Sequence, residues 1–148
     1  QYERAIEQAR RTLLIDPQFV GALCLLGWCY EQQGLYDMAI EQLRQAADIS
    51  GLPEVKAMVG HAYAVAGRVN ESRAVLDELL AQSGQRYVTP YYTAVICAGL
   101  GDADEAFAWL ERAFHERDEW LLHLKVDPKL DPLREDTRFA ELLRRIEL

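Results

Sequence analysis

Three glycines set the period of this chain. Gly34, Gly67 and Gly101 lie 33 and 34 residues apart. A small side chain follows each at the same distance, at Ala39, Ser72 and Ala106, and Ala5 begins that series one period earlier. Tyr30 and Tyr63 recur at 33 residues. A near-constant period of this length marks a stack of like units, each too small to bury its hydrophobic face alone and each using its neighbour to do so.

The residues around each glycine say what the unit is. Gly34-Leu35-Tyr36-Asp37, Gly67-Arg68-Val69-Asn70 and Gly101-Asp102-Ala103-Asp104 each separate two amphipathic stretches. Glycine accepts the left-handed backbone that closes a helix, and the Asp or Asn that follows is placed to cap the next one. Ala39, Ser72 and Ala106 are small where two antiparallel helices must approach closely. Leu43, Leu76 and Leu110, then Ala46, Leu79 and Ala113, continue the same stripe at helical spacing. Strands would need sustained alternation, and there is none. The expectation is an all-α fold of antiparallel helical hairpins.

Leu26-Gly27, Tyr30, Gly34, Tyr36, Ala39 and Ala46, within Leu23 to Pro53, resemble the pattern of the tetratricopeptide repeat family. Tyr2, Ala5, Ala9 and Asp16-Pro17 resemble its preceding half-unit, with proline stopping the helix. The third unit keeps Gly60, Tyr63 and Gly67 with Ser72 for alanine, and the fourth has Ala94 and Cys97 where glycine and tyrosine are typical. Repeats are therefore expected over residues 1–117: a half repeat at 1–17 and units at about 18–51, 52–84 and 87–117. The resemblance implies a right-handed superhelix that binds a protein or peptide and catalyses nothing. It also implies that the first helix of each unit lines a concave groove. By register the groove residues are Cys24, Trp28, Glu31 and Gln32, then Ala57, His61, Ala64 and Val65, then Tyr91, Val95 and Ala98.

Residues 118–148 change character and are expected to cover the apolar face of the last unit. A final helix from about Asp136 to Ile146 would turn Phe139, Leu142, Leu143 and Ile146 inward and leave Arg138, Arg144 and Arg145 in water. The stretch from Ala106 through Val126-Asp127-Pro128 and Asp131-Pro132-Leu133 to Leu143 is similar to the closing segment of repeat arrays in large bacterial regulators. That similarity implies the carboxyl-terminal part of a cytoplasmic multidomain regulator. A helix entered halfway through a repeat fits a piece of a longer protein.

Charge and motif content narrow the function classes. Sixteen Lys and Arg against 24 Asp and Glu give −8, which repels phosphate backbones and anionic lipid, so neither nucleic acid nor membrane is an expected partner. The longest apolar run, Phe19 to Tyr30, falls short of the ~20 residues of a bilayer span. Cys24, Cys29 and Cys97 have no ligand spacing and are expected as buried free thiols of a reducing cytosol. No nucleophile motif or phosphate loop occurs, and no cofactor is expected. The groove lacks the Lys, Arg and Asn that a chaperone carboxylate clamp needs, which favours an apolar segment resting on Trp28, His61 and Tyr91. Two alternatives stand beside this one. The half-hairpin at the amino-terminal end offers an apolar face for homodimerisation. His115, Glu119 and His123, spaced by four, would align as metal ligands on an unbroken helix, although the charge-dense Glu116–Glu119 stretch reads as a helix end.

Overall fold

A computed structural model describes residues 2–146, and among them every regular element is helical. In chain order the α-helices are α1 (Tyr2–Ile15), α2 (Val20–Gln32), α3 (Tyr36–Ser50), α4 (Pro53–Val65), α5 (Val69–Gln82), α6 (Pro90–Gly99), α7 (Ala103–His115) and α8 (Thr137–Ile146). Two 3-10 segments, Glu119–His123 and Pro128–Leu133, lie between α7 and α8. Helices α2 and α3, α4 and α5, and α6 and α7 pack as hairpins, and α4 also packs on α3 before it and α6 after it. The fold is an all-α solenoid of stacked hairpins.

One turn closes all three hairpins. Gly34, Gly67 and Gly101 have φ of 74°, 76° and 77°, in the left-handed region that glycine enters freely. The amide of the next residue reaches back to a carbonyl in the last helical turn: Leu35 to Tyr30 at 2.9 Å, Arg68 to Tyr63 at 2.9 Å and Asp102 to Cys97 at 3.0 Å. Each glycine amide donates to the carbonyl three residues before it, which completes a Schellman cap. The expected Asp and Asn capping is corrected here. Helices α3 and α5 begin at Tyr36 and Val69, so Leu35 and Arg68 occupy the cap without a side-chain bond, and Asp37 and Asn70 fall in the first turn. Of the second helices of the three hairpins, α7 alone has a carboxylate cap, with Asp102 accepting from the Glu105 amide.

Close approach inside each hairpin depends on the small residues. Ala39, Ser72 and Ala106 are fully buried. Ser72 keeps its hydroxyl satisfied by donating to the Gly60 carbonyl at 2.8 Å, so the substitution for alanine leaves no orphan polar group. Opposite the stripe, a Cβ on Gly27 would run into Leu43 Cγ, and one on Gly60 would stand 2.9 Å from Ile96 Cδ1.

The period runs on into the tail. The helices α3, α5, α7 and α8 start at Tyr36, Val69, Ala103 and Thr137, at intervals of 33, 34 and 34. Helix α8 thus stands where the second helix of a further unit would be, and the 3-10 segments stand for its first helix. Pro128 and Pro132 explain the substitution, because each removes an amide donor and neither can sit inside a continuous helix. Arg138 and Arg145 do not simply face water as expected. Each bonds a carboxylate 34 residues back, Asp104 at 2.9 Å and Glu111 at 2.6 Å, and lies over Phe107 and Phe114 at 4.4 and 4.5 Å. A shared offset of 34 residues makes α8 parallel to α7.

Gly27→Ala should lower stability, since overpacking against Leu43 costs about 1–3 kcal/mol and outweighs the ~1 kcal/mol that alanine gains in a helix interior. A urea midpoint equal to or above that of the parent protein would show that Leu43 moves aside instead.

Candidate functional site

The concave face is built by α2, α4 and α6, and the tail crosses it. Tail residues Leu121, Leu124, Leu130 and Leu133 are all buried in the core that α6 and α7 form. Full burial of one leucine contributes roughly 1.5–3 kcal/mol, so the four together rival the net stability of a whole domain at roughly 6–12 kcal/mol. The tail is therefore a permanent wall of the groove rather than a lid.

Buried polar bonds fix its height. Asp118 lies at the end of α7, where Arg117 at φ 55° takes the left-handed position that glycine holds in the other turns. Its Oδ2 accepts from the Thr89 hydroxyl at 2.5 Å and the Tyr91 amide at 3.3 Å, and its Oδ1 accepts from the Trp120 amide at 3.0 Å. A buried carboxylate is thereby satisfied at the positive end of α6, whose cap is Thr89 and whose first residue is Pro90. Farther along, the Tyr91 hydroxyl donates to Asp127 Oδ2 at 2.9 Å, and Asp127 Oδ1 accepts from the Lys129 amide at 2.9 Å. Arg134 ties the same bend by donating to the carbonyls of Lys125 and Asp127. Burial, then Asp127, push the Tyr91 hydroxyl far above the usual phenol range, which keeps it a donor.

With the tail in place the groove becomes two cavities. The larger, about 400 Å³, is lined by Trp28 of α2, Ala57 and Met58 of α4, Tyr91, Tyr92 and Val95 of α6, and Trp120, His123, Val126, Asp127, Pro128 and Lys129 of the tail. This is the size of a ligand site, and its lining is apolar with a few polar groups, as such sites usually are. Aromatic contacts run along it: Tyr92 to Trp120 at 5.1 Å and Trp120 to His123 at 5.2 Å between ring centroids, and Tyr2 edge-on to Trp28 at 5.6 Å. The smaller cavity, about 220 Å³, holds Glu31, Gln32, His61 and Val65 with Tyr36 and Gly99, closed by Pro128, Lys129 and Pro132.

The structure therefore divides the residues expected along one groove. Trp28, Ala57, Tyr91 and Val95 meet in the larger cavity, whereas Glu31, Gln32, His61 and Val65 meet in the smaller. Cys24 lines neither, is half-buried, and has a thiol pushed up by burial. Ala64 and Ala98 are buried. His61 does not offer itself as an anchor: it is buried, with Nδ1 2.9 Å from Glu31 Oε1, near enough for an ion pair but without hydrogen-bond alignment. Tyr91 is likewise buried, and its neighbour Tyr92 is only partly so. Sequence reasoning missed Met58, Tyr92 and every tail residue. The signals available were the doubled tyrosine at 91–92 and the Trp120 and Asp127-Pro128 that open the tail.

Helix α7 ends at His115, and Glu119 and His123 belong to a separate 3-10 segment beyond the left-handed turn at Arg117. The row of four-residue spacings does not lie on one helix, and among the described residues no group of three His, Cys, Asp or Glu is arranged to hold a metal. No described helix is long and apolar enough to cross a membrane.

Residues 20–51, which comprise α2, α3 and the glycine after them, match the family model described as Tetratricopeptide repeat. No curated protein matches the chain. The repeat supports a protein–protein interaction module.

Tyr91→Phe should destabilise the protein by about 1.5–3 kcal/mol, the usual worth of a hydrogen bond to a charged group. Because the folded-state hydroxyl titrates above the unfolded one, the unfolded chain loses its proton first, and the Tyr91 contribution fades as pH rises past about 10. Urea unfolding of both proteins at neutral pH and at pH 10.5 measures this. An unchanged difference across that range would remove Tyr91 from the tail's anchorage.

Proposed function

We propose that this array is a non-catalytic module that binds a peptide segment of a partner protein in the larger cavity, between the concave face and the tail. The observation that carries the reading is the cavity itself: half-buried aromatic rings from Trp28, Tyr92 and Trp120 converge on one fixed, open space. Amphipathic aromatics held in place lose little conformational entropy on binding, which is why such residues dominate interface energetics. Within a larger protein, such as the bacterial regulators that the tail resembles, the module would recruit or sense a partner.

The test begins from peptides selected out of a displayed random library on the intact protein. Trp28→Ala and Tyr92→Ala should each weaken the selected peptides by more than about 1 kcal/mol, as expected of anchors, with the fold retained by circular dichroism. Tyr91→Ala is a poor choice because that ring is buried structure. Peptides that bind both variants as they bind the parent would place the site on another face.

Self-association is a second reading with an observation of its own. Leu14 and Ile15 at the end of α1 are 85% and 88% exposed, beside a half-exposed Phe19. Contiguous exposed apolar side chains often mark contact with another protein. If this patch joins two copies, Leu14→Glu with Ile15→Lys should convert a dimer to a monomer in sedimentation velocity. A parent protein that already sediments as a monomer at millimolar concentration disposes of the idea.

A further inference from the structure

The larger cavity has a chemistry beyond being apolar. We infer that it accepts a lysine or arginine side chain of the partner peptide, with the alkyl stem along Trp28, Tyr92 and Trp120 and the cation facing Asp127. This rests on the reading of the cavity as a peptide site and adds what the site selects.

The walls suit an organic cation. Aromatic faces attract ammonium and guanidinium groups through the ring quadrupole, and more strongly where water is excluded. The basic side chains are also the ones that combine an apolar stem with a charged tip, matching a socket that is apolar along its walls and charged at one end.

Charge points the same way. Asp127 lines the cavity; outside the lining, Asp118 bonds the amide of the lining residue Trp120 and Glu54 stands at the start of α4. None of the three forms an ion pair within 4.0 Å among the described residues. Against them stand the Lys129 ammonium, which lines both cavities, and the Arg134 guanidinium, which bonds the Asp127 carbonyl but is paired with Asp131. Tyr92, which lines the cavity, lies within reach of the same charges: burial first, then Glu54, Asp127 and Asp118, raise its hydroxyl well above the usual phenol range. An acidic side chain would meet the Asp127 carboxylate in the cavity, with the charges of Asp118 and Glu54 outside the lining adding to the repulsion. A neutral aliphatic side chain would fill the walls and leave the Asp127 charge, held by the neutral donors Tyr91 and the Lys129 amide, without a counter-ion. The chain's overall charge of −8 would draw a basic segment in from a distance.

Three capped tripeptides test the inference, with lysine, norleucine or glutamate between phenylalanine and leucine. Binding is read from the indole N–H resonances of the tryptophans. Trp28 and Trp120 line the cavity, whereas Trp109 on α7 bonds Glu105 at 3.2 Å away from it and serves as an internal control. The lysine peptide should move the Trp28 and Trp120 signals, leave Trp109 in place, and bind about tenfold tighter than the norleucine peptide, with glutamate weakest. Glu54→Gln should narrow the preference for lysine over norleucine, and Asp127→Asn should narrow it further. Glu54→Gln alone keeps the test decisive if Asp127→Asn disturbs the bend at Pro128. Lysine and norleucine peptides that move both cavity indoles equally would overturn the charge selection while leaving the cavity a peptide site. No movement of either indole at millimolar peptide would overturn both readings.

Discussion

A hairpin of two helices has more apolar face than it can hide within itself, and the whole molecule follows from where each surplus face is buried. Between units the answer is the next first helix, which is why α4 touches α3, α5 and α6. After α7 the described residues form no further regular unit, and the answer changes. Two proline-bearing 3-10 segments fill the place of a first helix, α8 fills that of a second, and together they bury Leu121, Leu124, Leu130, Leu133, Phe139 and Leu142. The break in the regular stacking and the creation of the cavity are therefore one event. The same leucines that end the stack carry Trp120, Val126 and Asp127 over the concave face.

Electrostatics reinforces that division of labour. Cations on the outer side of α8 are consumed by structure: Arg138 and Arg145 hold Asp104 and Glu111 while lying over Phe107 and Phe114. Isolated exposed pairs contribute little, but a guanidinium that both bridges and stacks at two points one heptad apart fixes the helix in register. On the inner side the carboxylates are held by neutral donors instead. Asp118 and Asp127 take hydroxyl and amide hydrogens from Thr89, Tyr91, Trp120 and Lys129, bonds that orient a charge without cancelling it. The result is a tail whose Arg138 and Arg145 are paired on its outer side and whose inner carboxylates, Asp118 and Asp127, form no ion pair among the described residues.

The hairpins were legible because their causes are local and repeat. A left-handed cap needs glycine and a close helix crossing needs a small residue, so Gly34, Ala39 and their counterparts announce themselves at a fixed interval. Asp37 and Asn70 misled about capping for an equally local reason: α3 and α5 begin one residue before them, at Tyr36 and Val69, which puts both side chains inside the first turn rather than at the cap. At Arg117 the local signal fails, since an ordinary residue takes the left-handed position and only the tertiary bonds of Asp118 reveal why. The groove was legible as a face but not as a site. Register places Glu31 and His61 beside Trp28 on that face, yet which of them remains open to a ligand depends on where a non-repeating tail crosses. Nothing periodic encodes that path.

The cavity also bears on why the site exists at all. An unfilled space forfeits dispersion contacts on every side chain that lines it, and the lining here includes Ala57, whose small side chain points the way to a remedy. A larger residue at that position, or a longer one at Val95, would close the gap between α4, α6 and the tail with ordinary hydrophobic packing. The cavity is open to solvent, and contiguous apolar surface left exposed in this way often marks contact with another molecule. Elsewhere the same chain packs closely enough that one methyl on Gly27 has no room. Tight packing throughout the hairpins, beside an open aromatic socket walled by rigid elements, is the pattern of a surface kept preorganised for a partner at some cost in stability.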